Sequence, residues 1–231
     1  CDDLARVVSE KCPDKPHKMI ENIGEDAKIF KPVSEDLVNE LSLAGKQVLL
    51  YTGTFEAYQG IDLLLESMVQ VSENHSDAVL VLVGGTPEQV EHYKNMSKQL
   101  GIEAAVCFTG TVHPTRIPNF LKLADVIVSP RSRGTNTPLK IYGYMKTGVP
   151  LVATDRHTHT QILSKEMAEL VAPDSEGLAK GVCRVLSNSA YGKKIAGQAK
   201  QFAEANFSDE KYIEMVAGLY RDVLSNRAAQ I

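Results

Sequence analysis

Residues 129–140 read Ser129-Pro130-Arg131-Ser132-Arg133-Gly134-Thr135-Asn136-Thr137-Pro138-Leu139-Lys140. Three cations, a glycine and a run of hydroxyl and amide side chains are the ingredients of an oxyanion site. Thr137 is placed to cap a helix, with Pro138 at its first position. Lys140 then falls near the third helical position. The N–H groups of a first helical turn lack intrahelical partners, and the helix dipole is positive there. Such a terminus holds phosphate, and Arg or Lys adds charge-assisted bonds. Over Ser129–Thr154 the cations are Arg131, Arg133, Lys140 and Lys146, with no acid among them. The competing reading is a solvated loop with scattered surface charges.

Other candidate chemistry is thinner. There is no Walker loop, no Gly-x-Gly-x-x-Gly and no His-Glu-x-x-His. His157-x-His159 offers two metal-type ligands without a third nearby, so both are expected to face solvent or cap a turn. Ser129, Ser132 and Thr135 lack the elbow motif or paired histidine that makes a nucleophile. Asp125 and Asp155 flank apolar runs and read as turn caps.

The elements that must position the cationic loop alternate along the chain. Apolar runs lie at Val48–Tyr51, Ala78–Val83, Val106–Phe108, Val126–Val128, Leu151–Ala153 and Leu170–Val171. Each gap is long enough for one crossover helix, the signature of a parallel βαβ sheet. The runs are continuous rather than alternating, so helices should cover both faces. Ile61, Leu64, Leu65, Met68 and Val71 follow the helical period. Pro87–Leu100 reads as a second helix stopped by Gly101, and Ile117, Phe120 and Leu121 as a short one. After Leu170 the pattern is helical to about Ser225, with Phe207 and Tyr212 spaced as a staple around a Ser208 cap. The fold expected is α/β: a doubly wound, Rossmann-like sheet of six parallel strands, plus C-terminal helices. Ligands bind such sheets at the carboxyl ends of the strands, where strand order reverses. In the usual order the first and fourth strands flank that point, which selects the loops Thr52–Gly60 and Ser129–Lys140.

Residues 1–45 do not join this rhythm. They hold a helical start at Cys1–Glu10, three prolines and one short candidate strand near Met19–Ile20. They read as a linker and the tail of a preceding domain, with the αβ unit over 46–206 and a last helix over 207–231. The chain opens on Cys1 without a signal-peptide pattern, as the middle of something longer would.

Composition removes several function classes. With 25 Lys+Arg against 29 Asp+Glu, the net charge is −4, which disfavours a non-specific nucleic-acid binder. The longest apolar stretch, near Ala78–Val83, is far short of the ~20 residues of a membrane span. Cys1, Cys12, Cys107 and Cys183 form neither a zinc pattern nor a disulfide framework. Cys107 and Cys183 are expected to be buried thiols, in a reducing, cytoplasmic setting.

Several segments in order carry a resemblance. They are Val48-Leu-Leu-Tyr-Thr-Gly-Thr-Phe with Gln59-Gly60, Val81-Leu-Val-Gly84-Gly85, Phe108-Thr-Gly110-Thr-Val112, Ala124-Asp125-Val126 with Ser129-Pro130, and Pro138 through Thr154. Together they resemble the C-terminal half of retaining, nucleotide-sugar-dependent glycosyltransferases of the GT-B fold, family four (group 1). The similarity runs from about Glu21 to Leu224.

The resemblance implies a donor-binding domain. Gly53, Thr54 and Gln59 would lie by the donor diphosphate, and Gly84 is a further donor-binding candidate. Gly110, Thr111 and Val112 would read the base. Arg131, Thr135, Asn136, Thr137 and Leu139 would hold sugar and phosphates. Lys140 and Arg133 are the candidates for catalytic charge stabilisation, standing in for a divalent ion, so neither metal nor cofactor is expected. An acceptor-binding domain would precede Cys1, Glu21–Pro32 would be the interdomain crossover, and the last helix would reach back to the absent half. The family often has two glutamates eight positions apart; here those positions are Thr135 and Gly143. Its usual first-loop Arg and Lys match Thr54 and Gln59. Two other readings stay open: a nucleotide-sugar 2-epimerase of the same fold, which would want carboxylates near the donor, and a non-catalytic nucleotide- or partner-binding module.

Overall fold

The computed structural model describes residues 1–15, 17–23 and 35–228. Six strands form one parallel sheet: β1 (Gln47–Thr52), β2 (Ala78–Val83), β3 (Val106–Gly110), β4 (Val126–Ser129), β5 (Leu151–Thr154) and β6 (Glu169–Val171), in the order β3-β2-β1-β4-β5-β6. The doubly wound sheet expected from the apolar runs is therefore present. Register follows the runs: Leu49 lies opposite Leu80 on one side and Val126 on the other. Between β2 and β3 the register slips after Leu82, so Thr109 is skipped and Gly110 stands opposite Val83.

Why the strands are apolar throughout is visible in β1. Val48 and Leu50 point into one core, Leu49 and Tyr51 into another. On one face lie α3 (Ile61–Asn74), α4 (Pro87–Gln99) and α8 (Ser175–Ser187), with Leu64, Leu65, Met68, Leu178 and Val182 fully buried. On the other lie α5 (Ile117–Leu123), α6 (Lys140–Thr147) and α9 (Ser189–Asn206), with Phe120, Ile141, Tyr144 and Ala203. A strand sandwiched between two helix layers has no solvent side to mark with polar residues. Leu37 and Leu43, from and just after α2 (Glu35–Glu40), also enter this second core.

Helix ends follow their sequence signals with exceptions. Thr86 caps α4 in a reciprocal box with Gln89, and Gly101 follows in left-handed backbone. α1 (Asp2–Lys11) forms as its pattern suggests, but Met19 and Ile20 are not a strand. Two apolar residues are too short to pair with a sheet edge; they lie beside Leu4, Ala5 and Val8 of α1 instead, with His17 bonded to Ser9 Oγ at 2.8 Å. Ser208 caps α10 (Asp209–Ala228) through the Lys211 N–H. The Phe207 ring packs edge-on against Tyr142 and Phe202 while Tyr212 stays exposed. Cys107 and Cys183 are half-buried rather than buried, and desolvation pushes both thiols up. Glu21–Pro32 falls largely outside the described residues.

Candidate functional site at the switch point

β1 and β4 are neighbours, so strand order reverses between them and their carboxyl-end loops meet. They meet by backbone contact. Gly60 is left-handed, φ 75°, and a Cβ there would lie 2.2 Å from the Pro130 carbonyl oxygen. Only glycine lets the first loop close onto the second. Ser132 completes the junction, its N–H donating to Tyr58 O at 3.0 Å. One strand over, a Cβ on Gly84 (φ 129°) would lie 1.9 Å from Gly53 O. The Gly84 N–H donates to Gly110 O, and Thr111 Oγ1 donates to Gly85 O. Gly53, Gly84 and Gly110 thus form one continuous rim across β1, β2 and β3, with Thr111 exposed and Val112 half-buried beyond it.

Lys140 enters this rim from the other side. The helix does not start where the sequence suggests: α6 begins at Lys140 itself, Leu139 has no capping side-chain bond, and Thr137 is buried beneath the loop. The Ile141 N–H instead donates to Pro138 O, a tighter turn that serves the same opening. Lys140 therefore stands at the first helical position, not the third. Its Nζ donates to Thr52 O at 3.2 Å and Gln59 Oε1 at 3.4 Å, and lies 3.9 Å from the Tyr51 ring centroid. The Tyr51 hydroxyl donates to Thr54 O, and Gln59 Nε2 reaches Thr54 Oγ1 at 3.5 Å. Thr54, Gln59, Gly53 and Lys140 are thus one constellation. Burial and the Arg131 charge push the Lys140 amine down to about 7.

Arg131 is buried and turned inward. Its Nε donates to Arg133 O at 2.8 Å and its Nη2 to Asn136 Oδ1 at 2.9 Å, while its guanidinium stacks on Tyr58 at 5.1 Å. It folds the cationic loop from within rather than presenting a free charge. Arg133, Thr135, Asn136 and Leu139 are exposed on the loop's outer side, Leu139 at 65%. Thr135 O and Asn136 O are held by Gln161 Nε2 and Thr158 Oγ1.

The two histidines part company. His157 is exposed and pairs with Asp3 Oδ2 at 3.0 Å. His159, expected at the surface, is fully buried behind the loop. Its Nδ1 lies 2.9 Å from Thr154 O, which can only accept, so Nδ1 carries the proton. Nε2 then accepts from Ser129 Oγ at 2.8 Å. Thr154 Oγ1 in turn donates to Arg131 O. Desolvation drives the imidazole down to about 4, so it is neutral at pH 7. The turn α7 (His157–Thr160) puts one histidine out and the other in, a separation that i, i+2 spacing permits.

Sequence reasoning missed Tyr51, Tyr144 and His159. Tyr51 ends an apolar strand run and reads as core; its ring face is nonetheless the floor under Lys140. The Tyr144 hydroxyl donates to Thr52 O at 3.1 Å and is pushed up to about 12 by burial. The available signal was a polar-tipped aromatic at the carboxyl end of a switch-point strand. Among the described residues, no three His, Cys, Asp or Glu side chains gather as a metal site. No described helix is long and apolar enough to cross a membrane.

A doubly wound sheet with two loops docked at its switch point defines a Rossmann-like α/β domain. The sequence profile of "Glycosyl transferases group 1" matches residues 34–202, and the chain belongs to that family. It is 28% identical over 195 residues to the putative glycosyltransferase YtcC of Bacillus subtilis, covering 80% of this chain and 47% of that protein. It is 24% identical over 190 residues to alpha-D-kanosaminyltransferase of Streptomyces kanamyceticus, covering 81% and 49%. The chain thus spans about half the length of the curated relatives it matches. Sucrose-phosphate synthase from Thermosynechococcus elongatus superposes with a TM-score of 0.80 at 22% identity, covering 97% of this chain and 57% of that one. Anabaena Alr3699/HepE in complex with UDP gives 0.80 at 20%, covering 89% and 57%. The fold is that of GT-B glycosyltransferases.

Proposed function

We propose that this chain is the donor-binding half of a glycosyltransferase that moves a sugar from a nucleotide sugar to an acceptor with retention. The observation that carries the reading is Lys140, whose amine is held beside the first loop by neutral oxygens rather than by an acid. Breaking a bond to a leaving diphosphate develops negative charge, and a preorganised cation at that point lowers the barrier. The family's usual first-loop lysine position is Gln59. Lys140 Nζ stands 3.4 Å from the Gln59 oxygen, so α6 supplies across the junction a charge the first loop lacks. Arg133, exposed on the second loop, is the second cation offered to the docking donor. These cations take the role a divalent ion plays elsewhere. The HepE structures, which hold UDP and UDP-glucose, support a ligand of this chemistry in the shared fold.

The acceptor site belongs to the other half of the parent protein. Ile213, Tyr220 and Leu224 on α10 are each more than 60% exposed, an apolar face of the kind that packs on another domain. Calorimetry tests the proposal. UDP, GDP and ADP are titrated against uridine, guanosine and adenosine, and one diphosphate is expected to bind at least about tenfold tighter than its nucleoside. Equal affinity for both overturns the phosphate site. Sustained sugar transfer by residues 1–231 alone overturns the two-half reading.

A further inference from the structure

Lys140 has neighbours of an unusual kind for a cation. The titratable and charged groups around its amine are Tyr51 and Tyr58 from β1 and the first loop, Arg131 from the second, Tyr144 from α6 and His159 from α7. None is an acid. The phenols of Tyr51 and Tyr144 are held protonated by burial, and His159 is neutral, so Arg131 is the one charge of this set between pH 6 and 9. The acids on the adjoining segments, Glu56 and Asp155, are exposed, and Glu56 accepts from Gln89 Nε2. Two acceptors, Thr52 O and Gln59 Oε1, face Nζ. A neutral amine has two hydrogens and fills both; an ammonium leaves its third N–H without a described protein acceptor. The Tyr51 ring, 3.9 Å from Nζ, favours the charged form, but desolvation beside a guanidinium works against it.

We infer that a diphosphate seated at this switch point supplies the missing counter-ion, so that binding takes up a proton from solvent onto Lys140. The inference rests on the proposed donor reading and deepens it. Gln59 is the positioning residue: its amide oxygen orients the amine without neutralising it. The free amine's balance point near 7 makes the effect visible at ordinary pH.

The test uses UDP, GDP and ADP, taking whichever binds, in buffers of differing ionisation enthalpy. Net uptake approaching one proton per site is expected at pH 8, where the ligand's terminal phosphate is already ionised, and it is expected to shrink as pH falls below 7. Affinity is expected to fall by about tenfold per pH unit between pH 8 and 9, where the ligand's terminal phosphate, which ionises near 6, no longer changes charge. Lys140→Arg keeps a charge throughout and is expected to flatten the profile and abolish uptake. Gln59→Glu supplies a permanent counter-ion and is expected to abolish uptake while weakening affinity, which a structural role for Gln59 alone would not do. Binding that is flat over pH 7–9, or uptake that survives Lys140→Arg, overturns the inference and leaves the donor reading standing. A second measurement needs no ligand: 13C-labelled lysine resonances followed from pH 5 to 11. One lysine titrating near 7, absent in Lys140→Arg, is expected. If all titrate above 9, the inference fails even where UDP binds. If one titrates near 7 but no diphosphate binds, the donor reading fails and proton-coupled binding with it.

Discussion

The two loops at the switch point reach rigidity by opposite routes. The first, Thr52–Gly60, carries no cation and is shaped by backbone approach: Gly84 against Gly53, Gly60 against Pro130. The second, Ser129–Lys140, carries the cations and is shaped by side chains: Arg131 from within, Thr158 and Gln161 from outside, His159 and Thr154 from beneath. One loop supplies form and the other charge. Damage to the first is therefore steric and largely independent of pH and salt. Damage to the second is electrostatic and depends on both.

The sharpest break in this contrast is Gly60→Ala. The new Cβ meets the Pro130 carbonyl and forces a left-handed alanine. Stability is expected to fall by about 3 kcal/mol, with diphosphate binding lost and no recovery at any pH, as read by urea unfolding and calorimetry.

His159 should show the opposite character. Its folded value near 4 lies below an unfolded value near 6.5, so the unfolded chain binds the proton more tightly. The stability it contributes is complete above pH 6.5 and is lost as pH falls toward 4, by up to about 3 kcal/mol in all. His159→Gln is expected to be less stable at pH 7 yet to lack that slope in urea titrations between pH 6.5 and 4.5. A slope unchanged by the substitution would remove His159 from the second loop's support.

Lys140→Met separates binding from stability. Diphosphate affinity is expected to drop about 10–150-fold, the value of a charge-assisted bond of ~1.5–3 kcal/mol. The melting temperature is expected to rise, because a half-buried cation without an acid partner is replaced by an apolar chain of similar length. A fall in both would make Lys140 a structural residue. The smallest effect belongs to Arg133→Ala. Its exposed charge should be worth about 0.2–1 kcal/mol, a loss of at most about fivefold that disappears in 0.5 M salt.

How much of this was readable in advance follows the same division. The strands were legible because burial on both faces leaves uninterrupted apolar runs such as Ala78–Val83, and the switch point followed from their order. The two loops were legible as composition, glycines in one and cations in the other. Their internal wiring was not. Arg131 and Arg133 are two residues apart in the same basic run, and nothing local says which turns inward; Tyr58, 73 positions earlier, decides it. The Thr137 cap failed because Pro138 and Leu139 form a tight turn, so the helix begins two residues later, at Lys140. His159 was hidden because a buried neutral imidazole needs Ser129 and Thr154, both brought by the sheet rather than by sequence neighbours.

The bond from Lys140 to Thr52 joins residues 88 positions apart, and that from Lys140 to Gln59 joins residues 81 apart. Strands β1, β2 and β3 are consecutive and can pair once Gly110 has been made. β4 must then insert beside β1, on the far side of a sheet already begun. Contacts of such separation are the slow ones in folding, since a long loop must close before they form. On the proposed donor reading, binding competence is thus a late event: a partly folded molecule with half its sheet in place has a Gly53 rim but no cation beside it. Ligand affinity, followed in refolding, reports the final closure of β1 on β4 and nothing earlier.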